Sequence, residues 1–191
     1  MAITIVSGLP RSGTSLMMQM LKAGGFPILS DNERKADTDN PRGYLEWERV
    51  RELAANPSLI VWAEGKAVKV ISPLIRSLPP GLAYRVIFMH RPIREVLKSQ
   101  DVMLRRIGIS SSPADLPALT EAFERHLARV NEWLGGQGNA QVFHIDYHRV
   151  LREPMRVAAD IAFFLNAPLD TGAMAGQVNR SLCRNRMAEV A

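Results

Sequence analysis

Gly8-Leu9-Pro10-Arg11-Ser12-Gly13-Thr14-Ser15 decides the reading of this chain. An apolar run, Ile3 to Val6, precedes it, and a helix-like run, Leu16 to Leu21, follows it. Strand, glycine-bounded loop and helix, in that order, have the layout of a phosphate-binding loop. Backbone N–H groups at a helix start have no partner inside the helix, and the helix dipole favours an anion there. Glycines let the backbone curl close to such a ligand and form an anion-binding nest. Thr14 and Ser15 add hydroxyl donors, and Pro10 stiffens the entry. The triphosphatase pattern G-x-x-x-x-G-K-[ST] wants Lys after the second glycine, to reach the β- and γ-phosphates. Here Thr14 holds that place, and the cation, Arg11, lies inside the loop. The loop suits phosphate but is poorly built for a triphosphate. The plainer alternative is an ordinary βα turn with a Ser/Thr cap, and the two glycines with Arg11, Thr14 and Ser15 argue against it.

Short apolar or β-branched runs at Ile3–Ser7, Ala67–Ile71, Arg85–His90 and Gln141–Ile145 read as buried parallel strands. Helical patterns cover Ser15–Ala23, Leu45–Ala55, Ile93–Arg106, Pro117–Trp133 and Pro154–Phe164. This alternation predicts an α/β fold: a P-loop three-layer α/β/α sandwich with a central parallel sheet. In such sheets ligands bind beyond the carboxyl ends of the strands. The loop lies at that end, and so do His90-Arg91 and Asp146-Tyr147. Phe123, Leu127, Val130 and Leu134 recur at helical spacing and read as core. Gly24 to Gly43 and Gly108 to Pro117 are polar and irregular, and long loops inside a domain are commonly functional or mobile.

A length of 191 residues suits one domain, residues 1–191, with a real core. Apolar content of 47% with 23% charged residues is that of a globular protein. The net charge of +5 fits an anionic ligand. No dense Lys/Arg face with interleaved aromatics points to nucleic acid. The one cysteine, Cys183, excludes an internal disulfide framework and a cysteine-rich metal site. No apolar run approaches the roughly 20 residues that span a bilayer, and no secretory leader precedes Ile3. The expectation is a cytoplasmic protein without a membrane span.

A second chemical element is His90-Arg91-Pro92, with Ser99 about two helical turns on. Pro92 suits a helix start, so Arg91 projects from the strand's end beside the loop. Arg91 and Ser99 can clamp one phosphate between a forked cation and a hydroxyl. Taken alone, the pair reads more readily as a strand-end Arg beside an acid and an exposed helical Ser.

Together these residues resemble the P-loop sulfotransferases, which use 3′-phosphoadenosine 5′-phosphosulfate (PAPS). Pro10-Arg11-Ser12-Gly13-Thr14-Ser15 resembles that family's 5′-phosphosulfate loop, and Arg91 with Ser99 is similar to its 3′-phosphate site. Asn40-Pro41-Arg42-Gly43-Tyr44-Leu45-Glu46 is similar to a segment of bacterial members, and Tyr147 to Pro154 to a downstream stretch. The resemblance spans roughly residues 1–165. It implies sulfuryl transfer to a hydroxyl or amine, with PAPS as co-substrate and no metal. PAPS has no γ-phosphate, so a Lys after Gly13 would have no target. Arg11 stands where many cytosolic members have a Lys, and would bridge the sulfuryl group and the leaving 5′-phosphate. Lys69 of Lys69-Val70-Ile71 matches a Lys that precedes the family's catalytic His, but Ile71 stands where that His would be.

The base is therefore sought among Glu46, Asp39, Glu64 and His90, with Glu46 first because it follows the Asn40–Tyr44 loop. A first-turn carboxylate that favours the helix dipole is an equal reading of Glu46. Tyr44, Trp47 and Trp62 are expected near the acceptor, or in the core. The resemblance implies a late basic segment at the 3′-phosphate and offers Arg184 for it, but the tail lacks that family's R-K-G form and reads more readily as a solvated terminus. The acceptor stays open among small metabolite, glycan, lipid and protein. Two other classes stay open: a P-loop nucleotide kinase or nucleotidase, with Asp146 the one strand-end Asp to hold Mg²⁺, and a non-catalytic phosphate- or nucleotide-binding protein.

Overall fold

Six buried residues form the first strand, β1 (Ile3–Gly8), and everything else is arranged around it. In this computed structural model the residues described are 1–31, 33–37, 40, 42–106, 108–109, 115–179 and 181. Among them, β1 is joined by β2 (Ala67–Lys69), β3 (Tyr84–His90) and β4 (Ala140–Asp146) in one sheet. The order is β2-β1-β3-β4, and every pairing is parallel. The chain leaves β1 for β2 on one side and returns to β3 on the other. The loop after β1 thus lies where the strand order reverses, the place at which open α/β sheets bind ligands.

Alternation along the central strands divides the core into two layers. Val6, Ile87, Met89 and Ile145 pack on one face, with α1 (Thr14–Ala23), α4 (Tyr147–Arg152), α5 (Pro154–Leu165) and α6 (Thr171–Ala175). Ile3, Ile5, Val86 and Phe88 pack on the other. That face is covered by three 3-10 helices, Glu48–Glu52, Pro57–Ala63 and Ser72–Ser77, and by α3 (Leu116–Gly135). The remaining helix, α2 (Ile93–Arg106), follows β3. The result is the expected three-layer arrangement.

The four strands and the longer helices stand where the pattern put them, with α2 exact at both ends. Strand β2 stops at Lys69, two residues short of the expected end, although Val70 N–H still donates to the Val6 carbonyl at 3.0 Å. The expected helix over Leu45–Ala55 is a correction. Leu45 has φ 49°, in the left-handed region, and only Glu48–Glu52 coils, as a 3-10 helix. A left-handed, non-glycine residue cannot sit inside an α-helix. In α3, Val130 and Leu134 are buried and Leu127 packs against them, while Phe123 is half-buried. No helix among the described residues is long and apolar enough to cross a membrane.

Candidate functional site

Beyond the carboxyl ends of β1, β2 and β3 lies a cavity of about 360 Å³. The loop forms its floor through Pro10, Arg11, Gly13, Thr14 and Ser15. Gly13 is the N-cap of α1 and gives no side-chain hydrogen bond, so no cap side chain covers the first-turn N–H groups. Two glycines are needed here. Gly8 has φ +144°, and a Cβ on it would meet the Met89 carbonyl at 2.6 Å. Gly13 has φ +102°, and a Cβ there would meet the Tyr147 ring at 2.5 Å. Arg11 is itself left-handed, with φ 73°, a conformation that costs about 1 kcal/mol or more for a side-chain-bearing residue.

Two crossed hydrogen bonds hold Arg11. Its Nε donates to Ser99 Oγ at 2.9 Å. Arg91 Nη1 donates to the Arg11 carbonyl at 3.1 Å. Ser99 is 3% exposed, so it is neither an exposed helical serine nor idle. Arg91 does what a strand-end arginine commonly does, pairing with an acid, Glu95, at 2.9 Å. It also lines the cavity. Glu95 is buried and accepts from His148 Nε2 at 3.0 Å when that nitrogen carries the proton. The Arg91 guanidinium lies 4.7 Å from the Tyr147 ring centroid, a cation–π distance.

The opposite wall carries Lys69 and Glu46. Lys69 is 5% exposed, and its Nζ donates to Ser15 Oγ at 2.9 Å and to Glu46 Oε1 at 3.0 Å. Burial lowers the Lys69 pKa, and the Glu46 carboxylate opposes that shift. Glu46 Oε2 accepts from Arg34 at 3.3 Å. Arg34 lies 3.5 Å over the Tyr44 ring, and the Tyr44 hydroxyl reaches both Asp37 oxygens at 2.8–2.9 Å. Burial, then the Asp37 bond, raises the Tyr44 pKa. Gln19, Asn40, Gln177 and Asn179 add amide groups to the lining.

The fold thus brings Pro10, Arg11, Gly13, Thr14, Ser15, Glu46, Lys69, Arg91 and Ser99 to one cavity. Ser12 is the exception in the loop: its N–H closes a turn onto the Leu9 carbonyl, and its hydroxyl is buried without a partner. Among the candidate bases, Glu46 lines the cavity, whereas Glu64 and His90 do not. Glu64 bridges to Ile3, and His90 Nε2 meets His144 Nδ1 at 2.8 Å. Asp39 and Arg184 lie outside the described residues, as does Cys183. Tyr44 and Trp47 line the cavity, but Trp62 is 65% exposed and elsewhere. Asp146 caps α4 by accepting from Arg149 N–H at 2.9 Å. No group of three or more His, Cys, Asp or Glu among the described residues is placed to hold a metal. Arg34 was not foreseen: it sits in an aperiodic polar stretch, and only folding stacks it on Tyr44.

The chain is similar in fold to two solved bacterial or biosynthetic enzymes. One is the sulfotransferase STF1 from Mycobacterium tuberculosis, with 16% identity and a TM-score of 0.57, covering 91% of this chain and 70% of that one. The other is the sulfotransferase domain from the curacin biosynthetic pathway, with 16% identity and a TM-score of 0.51, covering 93% and 78%. No curated protein matches the chain. The sulfotransferase domain family matches residues 3–186, nearly the whole sequence. With a match that spans the loop after β1 and the Arg91/Ser99 element alike, this chain belongs to the sulfotransferase domain family.

Proposed function

We propose that this protein transfers a sulfuryl group from PAPS to the hydroxyl or amine of an acceptor. The observation that carries the reading is a loop with no triphosphatase Lys, hydrogen-bonded through Arg11 to both Ser99 and Arg91 at one cavity. The donor set fits such a co-substrate. The loop N–H groups, Thr14 and Ser15 suit the 5′-phosphosulfate, and Arg91 with Ser99 suits the 3′-phosphate. The amides of Gln19, Gln177 and Asn179 suit the edge of a base. PAPS supplies the sulfuryl group and a stable bisphosphate leaving group.

The reaction forms a bond from the acceptor atom to sulfur. It breaks the bond from sulfur to the bridging oxygen of the 5′-phosphate, which keeps the electron pair. Negative charge grows on that oxygen, so preorganised cations and N–H donors lower the barrier. Arg11, within the loop, and Lys69, bonded to Ser15 Oγ of the loop, supply that charge. The acceptor's proton passes to a base within contact distance, and Glu46 is the proposed one. Each of its oxygens already meets a cation, Lys69 or Arg34. Each oxygen keeps a further lone pair that can take the proton, and the two cations hold the carboxylate in place. The test is single-turnover transfer from radiolabelled PAPS to a panel of alcohols, phenols and amines. The reading predicts a labelled acceptor without added metal. No transfer to any acceptor, with hydrolysis of ATP instead, would point to a nucleotidase.

A further inference from the structure

The Arg91 guanidinium is gripped from behind. Its Nε donates to Glu95 Oε2 at 2.9 Å, and its Nη1 to the Arg11 carbonyl at 3.1 Å. An arginine has five N–H groups, so those on Nη2 are left for an anion in the cavity that Arg91 lines. Where they point depends on where Glu95 stands. Glu95 lies in the first turn of α2 and is 2% exposed. A carboxylate so buried needs donors on both oxygens. Its Oε1 lies 3.0 Å from His148 Nε2. The carboxylate only accepts, so Nε2 is the nitrogen that carries the proton. His148 is the second residue of α4, beside Tyr147. Helix α4 therefore reaches the guanidinium twice: Arg91 lies 4.7 Å from the Tyr147 ring centroid, and His148 meets it through Glu95.

Resting on the reading of Arg91 as the 3′-phosphate contact, we propose that Glu95 and His148 are positioning residues for donor selection. His148 fixes the Glu95 carboxylate, and Glu95 aims the guanidinium at the 3′-phosphate. Neither residue lines the cavity, so both act through Arg91. Charge alone argues the other way: a carboxylate behind the cation repels a phosphate in front of it. The contribution of Glu95 is thus geometric, a forked cation held in the orientation that the phosphate needs.

The experiment is calorimetric titration with 3′,5′-adenosine bisphosphate and with adenosine 5′-monophosphate, which differ only in the 3′-phosphate. The proteins are the wild type, His148→Phe, His148→Gln and Glu95→Gln. Phe keeps a ring beside Tyr147 and removes the N–H, whereas Gln returns a neutral N–H donor. The wild type is expected to prefer the bisphosphate. His148→Phe should cut that preference about fivefold, the scale of one hydrogen bond, with the monophosphate nearly unchanged. His148→Gln should recover most of it. Glu95→Gln should cut the preference further, although it removes a negative charge. The half-buried His148 variants decide the matter should Glu95→Gln fail to fold. An unchanged preference in His148→Phe would overturn the proposal, as would equal losses for both nucleotides or a loss that Gln does not restore. Tighter bisphosphate binding by Glu95→Gln would overturn it too, leaving the Arg91 assignment standing. A wild type without any preference would strike that assignment, and this proposal with it.

Discussion

Arg11 Nε and Ser99 Oγ, 88 residues apart in sequence, meet at 2.9 Å. The bond joins the loop after β1 to the middle of α2. Arg91 crosses it in the other direction, from the end of β3 to the Arg11 carbonyl. The loop and the Arg91/Ser99 element therefore share their holding contacts, and the left-handed Arg11 is bonded through both its side chain and its carbonyl.

The proposed role of Arg11, acting on charge that grows during transfer, separates rate from affinity. Arg11→Ala should lower the single-turnover rate by about 10²–10³, the scale of losing a preorganised donor. Donor affinity should fall much less, because the loop backbone remains. Arg11→Lys should recover part of the rate, since an ammonium supplies the charge without the fork. Equal losses in rate and affinity would show uniform binding rather than catalysis.

Arg91→Ala should weaken 3′,5′-adenosine bisphosphate by about 1.5–3 kcal/mol, the size of a charge-assisted contact. Adenosine 5′-phosphosulfate, which lacks the 3′-phosphate, should lose less. Its loss should not be zero, because Arg91 also props the loop through the Arg11 carbonyl. The variant leaves Glu95 buried without its cation. A drop in melting temperature is expected beside the calorimetric result, since breaking a buried pair costs about 3–5 kcal/mol.

Much of this arrangement was legible in the chain. Gly8 and Gly13 were legible from the loop pattern, whereas the Arg91/Ser99 spacing gained meaning only from the family resemblance. The strands were legible because a parallel sheet covered on both faces needs continuous apolar runs. The 3-10 helices were not, being short and begun by Pro57 and Pro73. Arg34 and His148 were also silent. Their roles come from partners far away in sequence or on another element, and no local periodicity encodes a contact such as His148 to Glu95. Tyr147 was placed at the right end of the sheet, but its packing on Gly13 depends on β4 lying beside β3.

Glu46→Gln keeps the shape of the side chain and removes the carboxylate that Lys69 and Arg34 share. Donor affinity should stay nearly constant, while transfer falls by about 10²-fold or more, the usual contribution of a general base. Undiminished transfer would remove Glu46 from the mechanism.

The paired imidazoles of His90 and His144 give a pH signature of stability. Burial lowers both pKa values from 6.5, and for His90 the neighbouring His144 adds to the effect while Asp146 opposes it. Below pH 6.5 the unfolded chain then binds more protons than the folded one, so stability rises with pH through that window. On acidification it is lost from about pH 6.5 down through the lowered values. His144→Phe should flatten this limb in a series of melting curves from about pH 7 to about pH 5. His126, also lowered by burial, keeps a smaller slope in the variant. An unchanged slope would show that the pair does not titrate as a unit.

The central claim, a PAPS site rather than a triphosphate site, is tested most directly by calorimetric titration with 3′,5′-adenosine bisphosphate and with ATP, each with and without Mg²⁺. With Thr14 in the triphosphatase Lys position and a separate Arg91/Ser99 clamp, the bisphosphate should bind without Mg²⁺ and more tightly than ATP. Mg²⁺-dependent binding of ATP, with no response to the bisphosphate, would contradict the account.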